Sequence, residues 1–335
     1  MNRKIFICPV CSSPLTLAAG AYSCGNRHSY DISKEGYVNL LLANQKQSRD
    51  PGDSKEMLDA RKSFLNRGYY KSLARAVTSL IIKHRRHTLL ASSKGKLSYC
   101  ARRNLTSPIR RFDTSIISLH HRLDDRTSSV TDFIPEAGSL EVPEFTILDA
   151  GCGEGYYTDY ISKNNYLKDS SITGIDISRE GIRSASKRNS TINFAVAGIY
   201  HLPVLENSVD TLLNIFAPFD EAEFSRVLKD NGVIISVAPG SHHLYELKKN
   251  LYDEVYLNDE EFELSEKFRI RQTLRLKFEL NIHTHDDISN LLKMTPYYHK
   301  SSPERIDLFL KSAEHLKSTA DFVIRVIVRT GYKDS

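Results

Sequence analysis

The stretch that most constrains the fold is Phe145–Tyr157, with the sequence FTILDAGCGEGYY. Its first half predicts a buried strand that ends at the acidic residue Asp149. Three glycines then follow on alternate positions, Gly151, Gly153 and Gly155, and a helix is predicted from Tyr156. Because glycine adopts turn conformations that other residues avoid, this pattern predicts a strand, a tight turn and a helix around a ligand. A glycine-rich turn with no ligand is the simpler alternative.

The spacing of these glycines is G-x-G-x-G. A dinucleotide fingerprint requires G-x-G-x-x-G, and Tyr156 occupies the position of its last glycine. The pattern instead resembles the first motif of class I S-adenosylmethionine-dependent methyltransferases. The resemblance implies that the turn packs against the methionine end and the ribose of that cofactor. The residues predicted to line it are Asp149, Gly151, Gly153, Gly155 and Tyr157.

A second predicted strand, Ile172–Ile177, ends in Asp176 about twenty residues beyond the glycines. An acid at the tip of a neighbouring parallel strand is placed to accept hydrogen bonds from both ribose hydroxyls. An isolated aspartate there is more often a helix N-cap. Since Ser178 can serve as that cap, we expect Asp176 to be free for the ribose.

The alternation of strands and helices continues to the end of the chain. Further strands are predicted at Ile192–Ala197, Val209–Phe216, Val233–Ala238, Phe268–Leu280 and Phe322–Arg329. The fold class is therefore α/β, a class I methyltransferase with a Rossmann-like, mostly parallel sheet of seven strands. Many such enzymes place an aspartate after the third strand to bind adenine. This chain has Ala197 and Gly198 there, so we expect the backbone to recognise adenine.

Four potential metal ligands lie near the N-terminus: Cys8, Cys11, Cys24 and His28. Two close pairs of thiolate and imidazole ligands can complete a tetrahedron around Zn²⁺, which predicts a closed, structural site. The alternatives are cysteines without a metal, or a redox C-x-x-C motif, which the lack of a surrounding βαβ pattern disfavours. Replacing Cys24 is expected to unfold this small domain and to leave the cofactor domain folded.

The charge is distributed unevenly. Residues 1–143 carry 23 basic and 12 acidic side chains, whereas the rest carry 23 and 29. Between residues 60 and 112 there are fourteen Lys or Arg and no acid. Basic residues interleaved with aromatic ones suit RNA, although a solvated basic surface is commoner. No long apolar run and no signal-peptide pattern are found, so we expect a cytoplasmic protein without membrane contact.

Four domains or segments are predicted. They are a zinc-binding RNA-recognition domain (1–43), a helical basic linker (44–90), a flexible insertion (91–144) and the methyltransferase domain (145–335).

The motifs together are similar to those of one family. Besides the zinc ligands and glycine turn, these are KEGYVNLL (Lys34–Leu41), QKQSRDPGDS (Gln45–Ser54) and MTPY (Met294–Tyr297). They resemble the zinc-bearing bacterial 23S ribosomal RNA guanine-N1 methyltransferases. The resemblance implies methyl transfer to N1 of a guanine in an RNA hairpin loop, S-adenosylmethionine and structural zinc as cofactors, and a homodimer.

Methylation at N1 requires removal of a proton or stabilisation of charge on O6. The first candidate base is His243, the second is Asp220, and Asn214 begins the stretch expected to hold the target base. A cap or surface role is equally compatible with these residues. Two other functions stay open: methylation of another RNA or a small molecule, and a non-catalytic factor in ribosome assembly that binds RNA.

Overall fold

The structure is a computed structural model that describes residues 5–45, 52–92 and 144–332. The stretch predicted to be a flexible insertion lies outside the described residues except at its ends. The basic residues between positions 93 and 112 also lie outside the described residues.

The N-terminal residues form a small three-stranded sheet that carries the four potential metal ligands. Its antiparallel strands are β1 (Thr16–Ala18), β2 (Ala21–Ser23) and β3 (Ser29–Asp31). Both turns that hold ligands contain a residue with a positive φ, Ser12 at 57° and Arg27 at 66°. These tight turns bring the cysteine and histidine side chains to one side of the sheet.

The rest of the described chain alternates strands and helices. The strands are β4 (Val38–Asn39), β5 (Thr146–Ala150), β6 (Ser171–Asp176), β7 (Asn193–Val196), β8 (Val209–Ile215), β9 (Leu228–Pro239), β10 (Phe268–Ile282) and β11 (Leu316–Arg329). The helices are α1 (Lys55–Asn66), α2 (Lys71–Ser92), α3 (Tyr156–Ser162), α4 (Arg179–Arg188), α5 (Glu221–Val227), α6 (Tyr245–Leu251), α7 (His285–Lys293), α8 (Tyr297–Lys300) and α9 (Pro303–Ser312). None of the helices described here is long and apolar enough to cross a bilayer.

The large sheet has the strand order β4-β7-β6-β5-β8-β9-β11-β10. Strand β11 runs antiparallel to both of its neighbours, and the other pairs are parallel. The chain starts in the centre at β5, proceeds to β7 and returns to β8, so the order reverses between β5 and β8. Ligands of open α/β sheets bind outside the carboxyl ends of the strands at such a reversal. This order confirms the predicted class I methyltransferase fold.

The predicted number of strands was wrong, because the large sheet has eight strands rather than seven. The additional strand is β4, in which Val38 and Asn39 pair in parallel with Ala195 and Val196 of β7. A strand of two residues is too short to give an alternating pattern in the sequence. Its pairing depends on a tertiary contact that brings the N-terminal residues to the edge of the sheet.

The zinc-ligand region and the methyltransferase sheet share one apolar core. Adjacent residues of β5 point to opposite faces, so Ile147 belongs to one buried cluster and Leu148 to another. The cluster around Leu148 also contains Ile5, Phe6 and Cys8. The backbone N–H of Leu205 donates to the carbonyl of Ile5 at 2.8 Å. The described N-terminal residues, from position 5 onward, are therefore packed against the sheet.

Candidate active site

The glycine turn lies at the carboxyl end of β5, where the order of the strands reverses. A Cβ atom on Gly151 would lie 2.4 Å from Cβ of Ala217, and one on Gly155 would lie 2.8 Å from Cβ of Ala185. Both glycines also have positive φ angles, of 90° and 80°. Glycine is therefore required at these positions both by the close packing and by the backbone conformation.

Most N–H groups of this turn are satisfied within the protein. Those of Gly151 and Cys152 donate to the carbonyl of Ile175, at 2.8 and 3.0 Å. The N–H of Gly153 donates to Asp176 at 2.8 Å. The turn therefore offers shape rather than a row of free donors, which agrees with a ligand that places no pyrophosphate here.

Asp176 ends β6 and is only partly buried. Its Oδ2 accepts the N–H of Gly153 and its Oδ1 accepts the N–H of Ser178, both at 2.8 Å. Ser178 caps α4, as predicted, by accepting from Gly181 at 3.2 Å. The carboxylate is thus hydrogen-bonded, whereas the sequence led us to expect a free one. Its two oxygens still keep lone pairs for further donors. Asp176 links the glycine turn to the start of α4.

Asp149 is fully buried beneath the turn, with 1% of its surface exposed. Thr158 donates to its Oδ2 at 2.6 Å, whereas its Oδ1 has no partner among the described residues. Burial, together with the charge of Asp176, raises the pKa of Asp149 to about 7. An unpaired buried carboxylate oxygen suits a cationic ligand. S-adenosylmethionine carries a sulfonium and an ammonium, so the residues present fit this cofactor.

The pKa of Asp149 predicts how cofactor affinity depends on pH. Below about pH 7 the carboxyl group is protonated, and it must lose this proton to interact favourably with a cation. The dissociation constant for S-adenosylmethionine should therefore fall by up to about tenfold per unit as the pH rises from 5.5 to 7. Calorimetry at several pH values measures this change. The matched Asp149→Asn variant should have a nearly flat profile, and an equally steep profile in that variant would contradict the assignment.

The backbone that follows β7 is buried at Ala197 and uncrowded at Gly198. Ala197 is buried, and its N–H donates to the carbonyl of Asp176 at 3.0 Å. A Cβ atom on Gly198 would meet no atom within 4 Å. This open space next to a backbone segment is compatible with the prediction that adenine is recognised by the backbone of Ala197 and Gly198.

Tyr157 is the last of the five residues that the first motif predicts to line the cofactor. It lies on the first turn of α3. Its hydroxyl is buried and has no hydrogen-bond partner among the described residues. Burial raises the pKa of this hydroxyl well above its usual value, so it stays protonated and can act as a donor. Its use in cofactor binding stays a prediction.

His243, the first candidate base, is buried against Phe322 and is 8% exposed. Its Nδ1 accepts the backbone N–H of Asp321 at 3.2 Å, and its Nε2 lies 3.4 Å from the hydroxyl of Tyr70. Burial lowers the pKa of His243 to about 4. At neutral pH the ring of His243 is therefore uncharged. Because its Nδ1 lone pair accepts the N–H of Asp321, the single ring proton is on Nε2. In this arrangement His243 connects Tyr70, which immediately precedes α2, to Asp321 of β11.

The other two candidates both have structural partners. Asp220 caps α5 by accepting the N–H of Glu223 at 2.8 Å. Asn214 is buried at the end of β8, and its amide donates to the carbonyls of Ala217 and Pro218 at 3.3 and 2.8 Å. Asn214 therefore shapes the loop that packs on Gly151. The structure brings all three candidates to the carboxyl end of the sheet, where their catalytic roles stay predictions.

Phe216 is a residue at this site that the sequence reasoning did not single out. It follows β8 with a φ of 55°, a left-handed conformation that is strained for a bulky residue. Its side chain is 45% exposed, and its ring lies 5.6 Å from that of Phe322. The sequence predicted only that the stretch beginning at Asn214 holds the target base. The strained backbone of Phe216 cannot be predicted from its residue type.

The four predicted metal ligands converge at the N-terminal sheet. Their ligand atoms all lie within 4.8 Å of one another. Nδ1 of His28 is 3.5 Å from Sγ of Cys8 and 3.4 Å from Sγ of Cys24, and the sulfurs of Cys11 and Cys24 are 3.7 Å apart. Zinc ligands at 2.0–2.3 Å define a tetrahedron with edges of about 3.3–3.8 Å. The donors present fit zinc, and 3.7 Å excludes a disulfide.

The basic residues of α2 divide into two groups. Arg85 donates to the carbonyl of Tyr166, and Arg86 lies over the ring of Tyr166 at 5.6 Å. These two arginines fix α2 to the segment after α3. In contrast, Lys71, Arg75 and Lys83 are exposed along one side of α2. We call these three residues the α2 basic stripe.

Comparison with known proteins identifies both parts of the chain. Residues 6–49 match the N-terminal zinc-ribbon domain of the RlmA family, and residues 147–232 match a methyltransferase domain. The zinc-ribbon match covers the four ligands, and the methyltransferase match covers the glycine turn and Asp176.

The chain is similar to RlmA-type methyltransferases in its zinc ribbon and to 23S ribosomal RNA methyltransferases over most of its length. It is 29% identical to the "Putative 23S rRNA (guanine-N(1)-)-methyltransferase YxjB" of Bacillus subtilis (strain 168), over 99% of both chains. It is 24% identical to the 23S rRNA (guanine(748)-N(1))-methyltransferase of Streptomyces fradiae, over 89% of this chain and 87% of that protein. A malonyl-acyl-carrier-protein O-methyltransferase of Hamiltonella defensa is 31% identical, but over only 30% of this chain and 41% of its own.

These matches confirm the family expected from the motifs. The chain combines a match to the RlmA zinc ribbon, which includes the cluster of Cys8, Cys11, Cys24 and His28, with a class I methyltransferase domain. Its cofactors are S-adenosylmethionine and structural zinc. The O-methyltransferase similarity covers less than a third of the chain, whereas the similarity to the B. subtilis protein extends over nearly all of it, including the zinc ribbon.

Proposed function

We propose that the chain transfers the methyl group of S-adenosylmethionine to N1 of a guanine in a hairpin loop of 23S ribosomal RNA. The observation that carries the proposal is the zinc ribbon packed into the same core as the methyltransferase sheet. The B. subtilis relative, named as a putative enzyme of this reaction, matches 99% of the chain, and the S. fradiae relative, also named for it, matches 89%. The Hamiltonella O-methyltransferase, in contrast, matches only 30% of the chain.

The cofactor supplies an electrophilic methyl group, and the residues of the chain position the acceptor. Since N1 takes part in Watson–Crick pairing, the guanine must be unpaired or turned out of the stack before it can enter the crevice. Asn214 fixes the loop beside Gly151 through the carbonyls of Ala217 and Pro218. Phe216 extends its exposed ring from this loop. We therefore assign Phe216 as the surface on which the guanine stacks.

Replacement of Phe216 should weaken the use of RNA without affecting the cofactor. Stacking of a base on an aromatic ring contributes about 1–3 kcal/mol. Phe216→Ala should thus lower kcat/KM for RNA by roughly 10- to 100-fold, whereas Phe216→Tyr should retain most activity. Methyl incorporation into an RNA hairpin and calorimetry with the cofactor measure the two properties. Tyr256→Ala removes another exposed aromatic residue and is the matched control. Equal losses in both variants would contradict the assignment.

The α2 basic stripe supports an RNA partner. It starts next to Tyr70, whose hydroxyl contacts His243 at the carboxyl end of the sheet. Three exposed cations on one side of a helix can contact successive phosphates. Replacement of Lys71, Arg75 and Lys83 by alanine should reduce the slope of log affinity against log salt by about two to three units. A control variant loses three other exposed lysines, Lys163, Lys187 and Lys311. An unaltered slope in the stripe variant would place the RNA elsewhere.

The proposed reaction can be tested by primer extension on 23S ribosomal RNA. A methyl group on N1 blocks base pairing and stops the polymerase, so a strain with the gene should give a stop that a deletion strain lacks. Complementation with the wild-type gene should restore the stop, and complementation with Asp176→Ala should not. A stop that persists in the deletion strain would refute the proposal.

Two alternatives lead to different results. A methyltransferase of a small molecule would bind S-adenosylmethionine but would give no stop on ribosomal RNA. A non-catalytic assembly factor would bind RNA and give no methyl transfer in vitro, even with saturating cofactor. The zinc ribbon disfavours the first, and the intact crevice around Asp149 and Asp176 disfavours the second.

We further propose that the protein acts in the cytoplasm as a homodimer. The thiol ligands of a zinc site require a reducing compartment, and ribosomal RNA is located in the cytoplasm. The dimer is supported by the resemblance to a family with an RNA cleft between protomers. Light scattering of the purified zinc-loaded protein measures the mass directly, and a mass near 38.1 kDa would contradict the dimer.

A further inference from the structure

Arg61 projects from α1 toward the glycine turn. Its Nη1 lies 3.7 Å from the position of a Cβ atom on Gly153. Among the described residues, no other heavy atom comes within 4 Å of that position, apart from the neighbours of Gly153 in the chain. The absence of a side chain at Gly153 therefore leaves a space between the turn and the guanidinium.

The guanidinium of Arg61 is held by two groups. Nη1 forms an ion pair with the carboxylate of Asp53, and Nη2 donates to the carbonyl of Met294 at 3.4 Å. Both side chains of the ion pair are accessible, with exposed fractions of 27% for Arg61 and 34% for Asp53. Because solvent reaches it, such a pair contributes little stability and can exchange one carboxylate for another.

Asp53 belongs to a short segment, residues 52–54, that precedes α1 and lies over the start of α4. A Cβ atom on Gly52 would lie 2.9 Å from Cβ of Ser178. Burial raises the pKa of Asp176, and the charge of Asp53 adds to this effect while Arg61 opposes it. The ion pair is therefore close to the acid assigned to the ribose, at the same mouth of the crevice as the glycine turn.

The cofactor carries charges of both signs. S-adenosylmethionine has two cationic groups, for which Asp149 is available, and one carboxylate at the end of its methionine part. That carboxylate requires a cation, and a guanidinium fork is the side chain best suited to bind a carboxylate through two hydrogen bonds. Arg61 faces the turn against which the methionine part packs.

We infer that Arg61 binds the methionine carboxylate of S-adenosylmethionine, and that Asp53 occupies the same guanidinium when the cofactor is absent. The inference rests on the part of the proposed function that concerns the cofactor, and not on the RNA target. Asp53 then acts as a competitor. Its removal should strengthen cofactor binding, whereas removal of Arg61 should weaken it.

Two ligands that differ only in the carboxylate test this inference: S-adenosylmethionine and its decarboxylated form. Calorimetry with the zinc-loaded full chain should give roughly 10- to 100-fold weaker binding of S-adenosylmethionine to Arg61→Met. The decarboxylated ligand should bind wild type and variant within about twofold. Asp53→Asn should bind S-adenosylmethionine several-fold more tightly than wild type, with no change for the decarboxylated ligand.

Controls separate this role from a structural one. Lys62→Met removes the next cation on α1, whose Nζ lies 3.4 Å from Oγ of Ser184, and should alter neither affinity. Arg61→Lys keeps the charge and should lose less affinity than Arg61→Met. If Arg61→Met weakens both ligands equally, or if Asp53→Asn weakens S-adenosylmethionine, Arg61 is only a brace and the inference is refuted.

The outcome is distinct from that of the RNA experiment. A wild-type chain that binds S-adenosylmethionine but methylates no ribosomal RNA would refute the proposed target and leave the assignment of Arg61 intact. A wild-type chain with no affinity for S-adenosylmethionine would refute the assignment of Arg61 and the proposed reaction together.

Discussion

Cys24→Ala should release the zinc and destabilise the whole chain, including the methyltransferase sheet. In isolated zinc fingers metal binding contributes about 10 kcal/mol or more to folding. Here Cys8 and Cys24 belong to the same buried cluster as Leu148, Ala195 and Leu212 of the sheet. The loss of the site should therefore lower the thermal midpoint by more than 10 °C, as one transition.

The link between the zinc ribbon and the cofactor crevice is a set of backbone contacts. Ile7 donates to the carbonyl of Pro203 at 2.9 Å, and Leu40 donates to the carbonyl of Val196 at 2.9 Å. Both acceptors flank the Ala197–Gly198 segment assigned to adenine. Affinity for S-adenosylmethionine should consequently fall in any folded Cys24→Ala protein, although no zinc ligand touches the crevice.

Elemental analysis, calorimetry and thermal unfolding together test this prediction. The wild type should contain one zinc per chain, and Cys24→Ala should contain none. Cys24→His offers a different zinc ligand and should retain much of the metal and the stability. A zinc-free Cys24→Ala protein with the wild-type thermal midpoint and cofactor affinity would mean that the ribbon folds separately, as the sequence alone suggested.

Asp321→Ala is the second substitution with a large expected effect. The carboxylate of Asp321 is completely buried and accepts two hydrogen bonds from Arg275, at 2.8 and 2.5 Å. It also accepts the N–H of His242 at 3.1 Å. Hydrogen bonds to charged groups contribute about 1.5–3 kcal/mol. Since Arg275 is partly exposed, we expect a loss of about 3 kcal/mol, which chemical denaturation measures.

The same carboxylate gives the effect a defined pH dependence. Burial alone would raise the pKa of Asp321, but the hydrogen bonds from Arg275 and His242 outweigh it and hold the pKa below its usual value. Its contribution is therefore present above about pH 4, the pKa in the unfolded chain, and is lost as the pH falls through the folded-state pKa. The difference between wild type and Asp321→Ala should shrink in acid.

An exposed ion pair provides the control for Asp321. Asp253 pairs with Arg305 at 2.5 Å, but 83% of its side chain is exposed. Asp253→Ala should cost less than about 1 kcal/mol at any pH. Asp321→Ala should also impair methyl transfer, because the carboxylate of Asp321 holds the backbone N–H of His242, next to His243. Equal stabilities of the two variants would contradict the role given to Asp321.

Local patterns in the sequence predicted the fold and the positions of most site residues. The strand before Gly151, the acid at Asp176 and the two pairs of zinc ligands depend on neighbours within a few residues. Their spacing is therefore visible in the sequence. The strand order follows from the alternation of strands and helices, which leaves few topologies for a mostly parallel sheet.

Features that depend on distant contacts could not be read in the same way. Asp176 was expected to be free because Ser178 could cap the helix, but Asp176 also accepts the N–H of Gly153, a contact that exists only in the folded turn. His243 looked like an accessible base, but Phe322 and Tyr70 bury it from elements far along the chain. Arg85 lies in the basic stretch predicted to suit RNA, but it donates to the carbonyl of Tyr166 within the protein. Residue type and spacing carry no information on such partners.

The short strand β4 also has a consequence for aggregation. An open sheet exposes unpaired N–H and C=O groups at its two edges, and these can recruit strands from other molecules. At one edge the long strand β10 carries charged side chains such as Arg269, Arg275 and Lys277, which discourage such pairing. At the other edge β7 reads Asn-Phe-Ala-Val and has no charge of its own. Two residues of the zinc ribbon cover it, so the metal also protects the protein from self-association.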